Sequence, residues 1–127
     1  MKYTIIIILI ILIFSITACY FSHKFIHNNG RELSTQLDEL KSDLLNKNKD
    51  KALTKANNIY NKWNDSSSKW AIIVQHQELD YIEKEMTEMN ANIHVDEFYN
   101  AYVSLEKVLF YINHLIEKEN FSIKNVF

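Results

Sequence analysis

The sequence predicts an all-α protein, with an N-terminal transmembrane helix followed by a small antiparallel bundle of about four helices. Three observations carry that prediction. The 127 residues contain no Pro and one Gly, too few chain breakers for a fold with many tight turns. The first 22 positions form an apolar run, and the remainder repeats apolar residues at spacings of three and four, the period of helices with one buried stripe. With 24% charged residues, a net charge of −2 and no basic block, the chain beyond the anchor is expected to fold, and it lacks the electrostatic footprint of a nucleic-acid binder.

Residues 1–22 are read as the membrane anchor. Tyr3 to Ser22 carries no charge and contains 20 residues, about the number that spans a hydrocarbon core at 1.5 Å per residue. Tyr3 and Tyr20-Phe21 lie at its two ends, where aromatic rings favour the headgroup level. Lys2 precedes the run, while Lys24 and Arg31 follow it. The short leader leaves the N-terminus inside, placing residues 23–127 outside the cytoplasm and the protein in the cell membrane as a single-pass chain. A second reading uses the same residues: Ile16-Thr17-Ala18-Cys19 is similar to a bacterial lipobox, in which Cys19 is lipidated and the preceding segment removed. Tyr20-Phe21 prolongs the apolar run past the Cys, which favours the uncleaved helix. Cys19 is the one cysteine, so no internal disulfide forms and the redox compartment is not legible.

Residues 23–30 are expected to be a juxtamembrane linker and residues 31–120 the bundle. Leu33, Leu37, Leu40 and Leu44 mark the first helix. The rhythm fails at Asn46-Lys47-Asn48-Lys49, and Asp50 is expected to cap a helix carrying Leu53, Ala56, Tyr60 and Trp63. Asn64-Asp65-Ser66-Ser67-Ser68 predicts a turn. A third helix follows, with Ile72, Leu79, Ile82, Met86 and Met89 in one sector and Trp70, Val74 and Tyr81 almost opposite, as for a central helix of the bundle. Asn90-Ala91-Asn92 interrupts it, and Asp96-Glu97 supply the acidic start of the last helix, whose stripe runs from Phe98 to Ile116. That helix is expected to end at Glu117-Lys118-Glu119-Asn120. Residues 121–127 then form an apolar C-terminal tail with Phe121, Ile123, Val126 and Phe127, docked on its own bundle or received by a partner.

Enzyme signatures are missing. One Gly excludes a phosphate-binding glycine loop, and one Cys inside the anchor excludes a thiolate zinc site. No His has Glu three residues before it, as a di-iron bundle requires. No catalytic or cofactor-binding residue is therefore assigned. His76 and Asp80, four apart on one helical face, are weak metal-ligand candidates if His114 approaches, but a surface His–Asp pair explains them as well. Trp63 and Trp70, seven apart, suit either a cation- or sugar-binding pair or large core side chains, with the core reading favoured.

The set Trp63-x6-Trp70, Ile73-Val74-x-His76-x-Glu78-Leu79-Asp80-x-Ile82 and His114-x2-Glu117-x-Glu119-Asn120-Phe121-Ser122-Ile123-Lys124-Asn125-Val126-Phe127 resembles a family of small membrane-anchored proteins of unknown function from clostridia and related Firmicutes. The resemblance covers essentially the whole chain. It implies a companion role beside a multi-pass membrane protein, and it marks Trp63, Trp70, His76, Glu78, Asp80, His114, Asn125 and Phe127 as structural or partner-binding candidates. The expected function is non-catalytic: a membrane-tethered extracytoplasmic interaction module, accessory to a neighbouring membrane protein, whose other contact is the lipid bilayer. The alternatives are a ligand- or metal-sensing domain using His76, Glu78, Asp80 and His114, and a lipoprotein anchored through Cys19.

Overall fold

The computed structural model describes residues 1–126, with all side chains except those of residues 122, 123 and 126. Four helices follow in order: α1 (Lys2–Leu45), α2 (Lys49–Ile73), α3 (His76–His94) and α4 (Phe98–Val126), with no strand among the described residues. They pack as a ring in which α1 touches α2 and α4, and α3 touches the same two, while the diagonal pairs bring no Cα atoms within 8 Å. No helix is central. The α3 expected at the centre therefore has only two neighbours, like the rest.

The N-terminal part of α1 is long and apolar enough to cross a membrane, and its most apolar stretch lies wholly outside the bundle. Two hydroxyls in its middle are paired within the helix. Ser15 Oγ donates to the Ile11 carbonyl and Thr17 Oγ1 to the Ile13 carbonyl, both at 2.8 Å, as a hydrocarbon surrounding requires. The linker expected over residues 23–30 is instead continuous helix, with Ile26 and Gly30 fully inside the core. The glycine serves close approach and not bending. A Cβ at Gly30 would lie 2.8 Å from Ile116 Cδ1 and 3.5 Å from Trp70 Cη2, so its absence lets α4 and α2 close on α1.

The turn expected at Asn64–Ser68 is also helix. Ser66 Oγ donates to the carbonyls of Lys62 and Trp63, and Ser67 Oγ to that of Asn64. The serine cluster thus spends its local hydrogen bonds inside the helix instead of breaking it. The chain reverses at Val74 and Gln75, both extended, after the β-branched run Ile72-Ile73-Val74, whose side chains resist helix. Consequently Trp70 and Ile72 belong to α2, and Ile72 is exposed.

The other two reversals share one device. Lys47 and Asp96 take left-handed conformations, φ 55° and 63°. Asn48 and Glu97 then donate backbone N–H groups to Asp43 and Asn92, satisfying carbonyls at the ends of α1 and α3. Asn48, and not Asp50, caps α2, its side chain accepting from the Lys51 N–H. Asn90-Ala91-Asn92 stays helical, and Asn90 Nδ2 donates to Asn57 Oδ1 across the α2–α3 seam.

The leucine stripe of α1, Ala52, Ala56, Ile59, Trp63 and Trp70 of α2, Leu79 to Ile93 of α3 and Ala101 to Ile116 of α4 form one core. In α2 the buried line runs through Ala52 and Ile59, which leaves Leu53 and Tyr60 half-buried on its flank. Polar bonds fix the α1–α4 register. His27 with Asn120, Ser34 with Asn113 at 3.0 Å, and Lys41 with Glu106 pair at steps of seven residues along both helices, in opposite directions. α4 does not stop at Glu117–Asn120 but continues to Val126, so 121–126 is helix and not an alternating tail. Phe127 and the side chains of Ile123 and Val126 lie outside the described residues.

Candidate functional site

The outward face of α4 is the surface that the fold does not explain. Two of its sides are taken by α1 and α3, yet Tyr99, Phe110 and Phe121 remain 78%, 66% and 67% exposed. These three are spaced by 11 residues, and 11 steps of about 100° return the side chain to within about 20° of the same line. They therefore mark a single stripe along the helix.

At mid-height the stripe widens towards α3. His114 stacks on Phe110 with ring centroids 6.1 Å apart, Phe110 meets Tyr111 edge-on at 5.7 Å, and Tyr111 stacks on Tyr81 of α3 at 5.7 Å. An open, mainly apolar groove beside them is lined by Tyr102, Val103, Glu106, Lys107, Phe110 and Tyr111. Its charged groups are engaged elsewhere: Glu106 with Lys41, and Lys107 with the buried Glu85 at 3.6 Å. The hydrogen bond to Glu106 raises the Lys41 pKa above 10.5, desolvation acting against it. What the groove offers a visitor is aromatic area, with the His114 imidazole next to it on Phe110.

The residues singled out from the sequence separate into two groups. Trp63 and Trp70 are core side chains, 1% and 0% exposed, with centroids 5.9 Å apart. The Trp70 indole donates to Asn29 Oδ1 at 2.7 Å, while the Trp63 indole N–H has no acceptor among the described residues. Neither ring can receive an external sugar or cation in this packing. His76, Asp80 and Asn125 are exposed, and Glu78 is half-buried in an ion pair with Lys118 at 3.2 Å. His76, Asp80 and His114 are not brought together, and among the described residues no group of three or more His, Cys, Asp or Glu is placed to hold a metal. Cys19 is exposed within the unbroken α1.

Two features escaped the sequence reading. His23 and His27 lie on successive turns of α1 with their rings tilted against each other, centroids 4.7 Å apart, and His27 tethers Asn120 near the end of α4. Their spacing of four is the available signal, and the polar composition of residues 23–30, which predicts a linker, hides it. The aromatic stripe was hidden for another reason: Tyr99 and Phe110 interleave with the core stripe, and a period of 11 shows only once the inward face is known.

No curated protein and no solved structure matches the chain. Residues 20–126 match the family described as Domain of unknown function (DUF4363), a span that takes in the end of the apolar segment and the entire bundle, and the protein belongs to that family.

Proposed function

We propose that the protein is a non-catalytic, single-pass interaction module, standing outside the cytoplasm and receiving a neighbouring membrane protein on the outward face of α4. The exposed line Tyr99–Phe110–Phe121 carries this reading. Aromatic side chains bury about 150–250 Å² each, so these three, about two-thirds or more exposed, supply roughly 300–500 Å², about half of the roughly 800 Å² that one side of a stable interface needs. The stripe also runs along α4 towards the anchored end of the bundle. A partner held in the same membrane meets such a stripe at high effective concentration. The resemblance to small membrane-anchored companions of multi-pass proteins in clostridia and related Firmicutes supports the same class of partner. The apolar run that continues past Cys19 into Tyr20-Phe21 favours a spanning helix over a lipidated terminus. The sensing alternative gains no support from the separate placements of His76, Asp80 and His114.

A photo-crosslinking residue at position 110 of the full chain, in its native membranes, tests the reading. The expected result is a discrete adduct with a multi-pass membrane protein, lost on Tyr99→Ser with Phe121→Ser. The same probe at Asn61, on the outward face of α2, is expected to give none. Equal labelling from both positions, or none from 110, removes the assignment.

A further inference from the structure

The two ends of the bundle differ in charge. At the end where α1 leaves the apolar segment, the chain contributes residues 22–28, 69–77 and 121–126. These stretches hold Lys24, Lys69 and Lys124 with His23, His27 and His76 and no acidic side chain, the acidic residues coming just behind them: Glu119 is level with Asn28, Glu117 shares a hollow with His23 and Lys124, and Glu78 is paired to Lys118. At the far end, residues 43–51 and 92–98 mix Lys47, Lys49 and Lys51 with Asp43, Asp50, Asp96 and Glu97, and Lys49 is ion-paired to Asp96 at 3.1 Å. Lys24, Lys69 and Lys124 have no carboxylate partner among the described residues, and Lys69 lies over the Phe25 ring at 5.8 Å.

Backbone register sets the height of this basic rim. His27 is level with Asn120, and both helices are regular, so six residues further the backbone of Val126 is level with Phe21, where the apolar segment ends. On the other side Trp70 packs on Phe25 at 6.0 Å and bonds Asn29. α2 then runs three residues further, to Ile73, a descent of about 4.5 Å at 1.5 Å per residue. The headgroup zone adds roughly 5–7 Å beyond the hydrocarbon on each side, about four helical residues. The α2–α3 turn and the last turns of α4 therefore stand inside that zone if α1 crosses the bilayer. Both present apolar side chains there, since Ile72 is 86% exposed and Phe121 is likewise free of the core.

We infer that this rim is a second membrane contact: Ile72 and Phe121 enter the headgroup layer, and Lys24, Lys69 and Lys124 bind the phosphates of anionic lipids. The bundle then stands on the bilayer at three points instead of swinging on one helix. Lysines near an anionic surface are attracted within a Debye length, and the rim holds all three at that distance. Such a foothold fixes the orientation of the α4 stripe relative to any partner in the same membrane. The inference rests on α1 spanning the bilayer; it gives Phe121, the membrane end of the α4 stripe, to the lipid and leaves Tyr99 and Phe110 to a partner.

The test uses the full chain carrying Cys19→Ser, reconstituted in vesicles of phosphatidylcholine with or without phosphatidylglycerol. A single fluorescent label is placed through Ile72→Cys, Phe121→Cys or, at the far rim, Val95→Cys. Acrylamide, a neutral quencher, reads water exposure. The expected result is loss of most quenching at positions 72 and 121 relative to 95, greater in the anionic vesicles, with the anionic increment abolished by Lys69→Glu with Lys124→Glu. Helicity checks that each variant is folded, and since all the positions are exposed, alternative labels at Gln75 and Asn125 replace any that fail. A chain that does not float with the vesicles overturns the spanning reading and this inference together. A chain that floats while 72 and 121 are quenched as readily as 95, in both lipid mixtures, overturns the rim contact alone.

Discussion

α2 and α4 lie on opposite corners of the ring and place their aromatic residues on opposite sides. In α2, Trp63 and Trp70 point inward and are fully buried, while the outward face is Thr54, Asn57, Asn61, Asn64 and Ser68, all exposed. In α4 the inward face is Ala101, Ser104, Leu105, Val108 and Ile112, and the large rings Tyr99, Phe110 and Phe121 face outward. The bundle needs one apolar face from each helix. α2 shows that an outward face made of Asn, Thr and Ser satisfies it. The aromatic line of α4 is therefore surplus to folding, and the contrast separates rings that serve stability from rings for which recognition is the proposed role.

The contrast breaks first at the indoles. Trp70→Ala is expected to lower stability by about 3–5 kcal/mol, since it empties a large core site and strands the Asn29 side chain that accepts its N–H. That is a large share of what a small domain has. Trp70→Phe keeps most of the apolar area and should recover part of the loss. Denaturant unfolding of the detergent-solubilised chain measures both. An Ala variant as stable as the parent would place Trp70 outside the core and remove half of the comparison.

Gly30 sharpens it next, because this one residue touches Trp70 on the α2 side and Ile116 on the α4 side. Gly30→Ala gains helix propensity of about 1 kcal/mol but drives a methyl into Ile116. Gly30→Val adds bulk that Ile116 cannot yield to and is expected to cost about 1–3 kcal/mol net. Gly30→Ala should cost less in an Ile116→Ala background than in the parent, because truncating Ile116 removes both the Cδ1 atom at 2.8 Å and the Cγ1 atom at 2.9 Å. An equal effect of Gly30→Ala in the two backgrounds would mean that helix propensity and not close approach governs the site.

These residues also show where the sequence is legible. The leucines 33, 37, 40 and 44 and the α4 stripe through Ile112 read directly, because a period of 3.6 in apolar residues reports burial whatever the neighbours are. Helix ends read poorly. Ser66 and Ser67 look like turn formers, yet their hydroxyls are satisfied by carbonyls of their own helix, whereas the actual reversal at Val74-Gln75 has neither Gly nor Pro. Lys47 and Asp96 occupy left-handed positions where Gly is usual, so those two ends carry no strong signal either. The outward stripe was legible in residue type but not in role, because an aromatic residue in isolation does not say which side of its helix it is on.

A smaller effect separates the α1–α4 seam from the core it flanks. Lys41, partly exposed, pairs with Glu106, and that hydrogen bond raises its pKa above 10.5. A raised lysine pKa means that the folded state holds the proton more tightly. The resulting stability is therefore complete below 10.5 and is lost as pH rises through the folded value. Melting temperatures of the parent and Lys41→Gln should differ modestly at neutral pH and converge as the pH passes above 10.5. A difference that persists in alkali would assign the effect to packing of the lysine stem on Tyr102, which its ammonium approaches at 5.5 Å.

The smallest expected effect on stability decides the most about function. Phe110 is 66% exposed and pairs with the surface rings Tyr111 and His114, and surface substitutions away from core contacts generally change stability by no more than about 0.5 kcal/mol. Phe110→Ser should therefore unfold with the parent, and Tyr99→Ser and Phe121→Ser likewise, while Trp70→Ala does not. If the stripe is a recognition surface, Phe110→Ser should abolish partner crosslinking from a neighbouring probe at Val103, which Trp70→Phe should leave unchanged. Rings that are neutral to stability and also neutral to crosslinking would be mere surface residues, and the division of labour between α2 and α4 would fall. Should Phe110→Ser instead destabilise the chain by as much as a core change, the stripe would be covered in the native state, by a second copy or by lipid. Concentration dependence of the melting temperature distinguishes those two, because only a second copy makes the transition rise with protein concentration at fixed lipid.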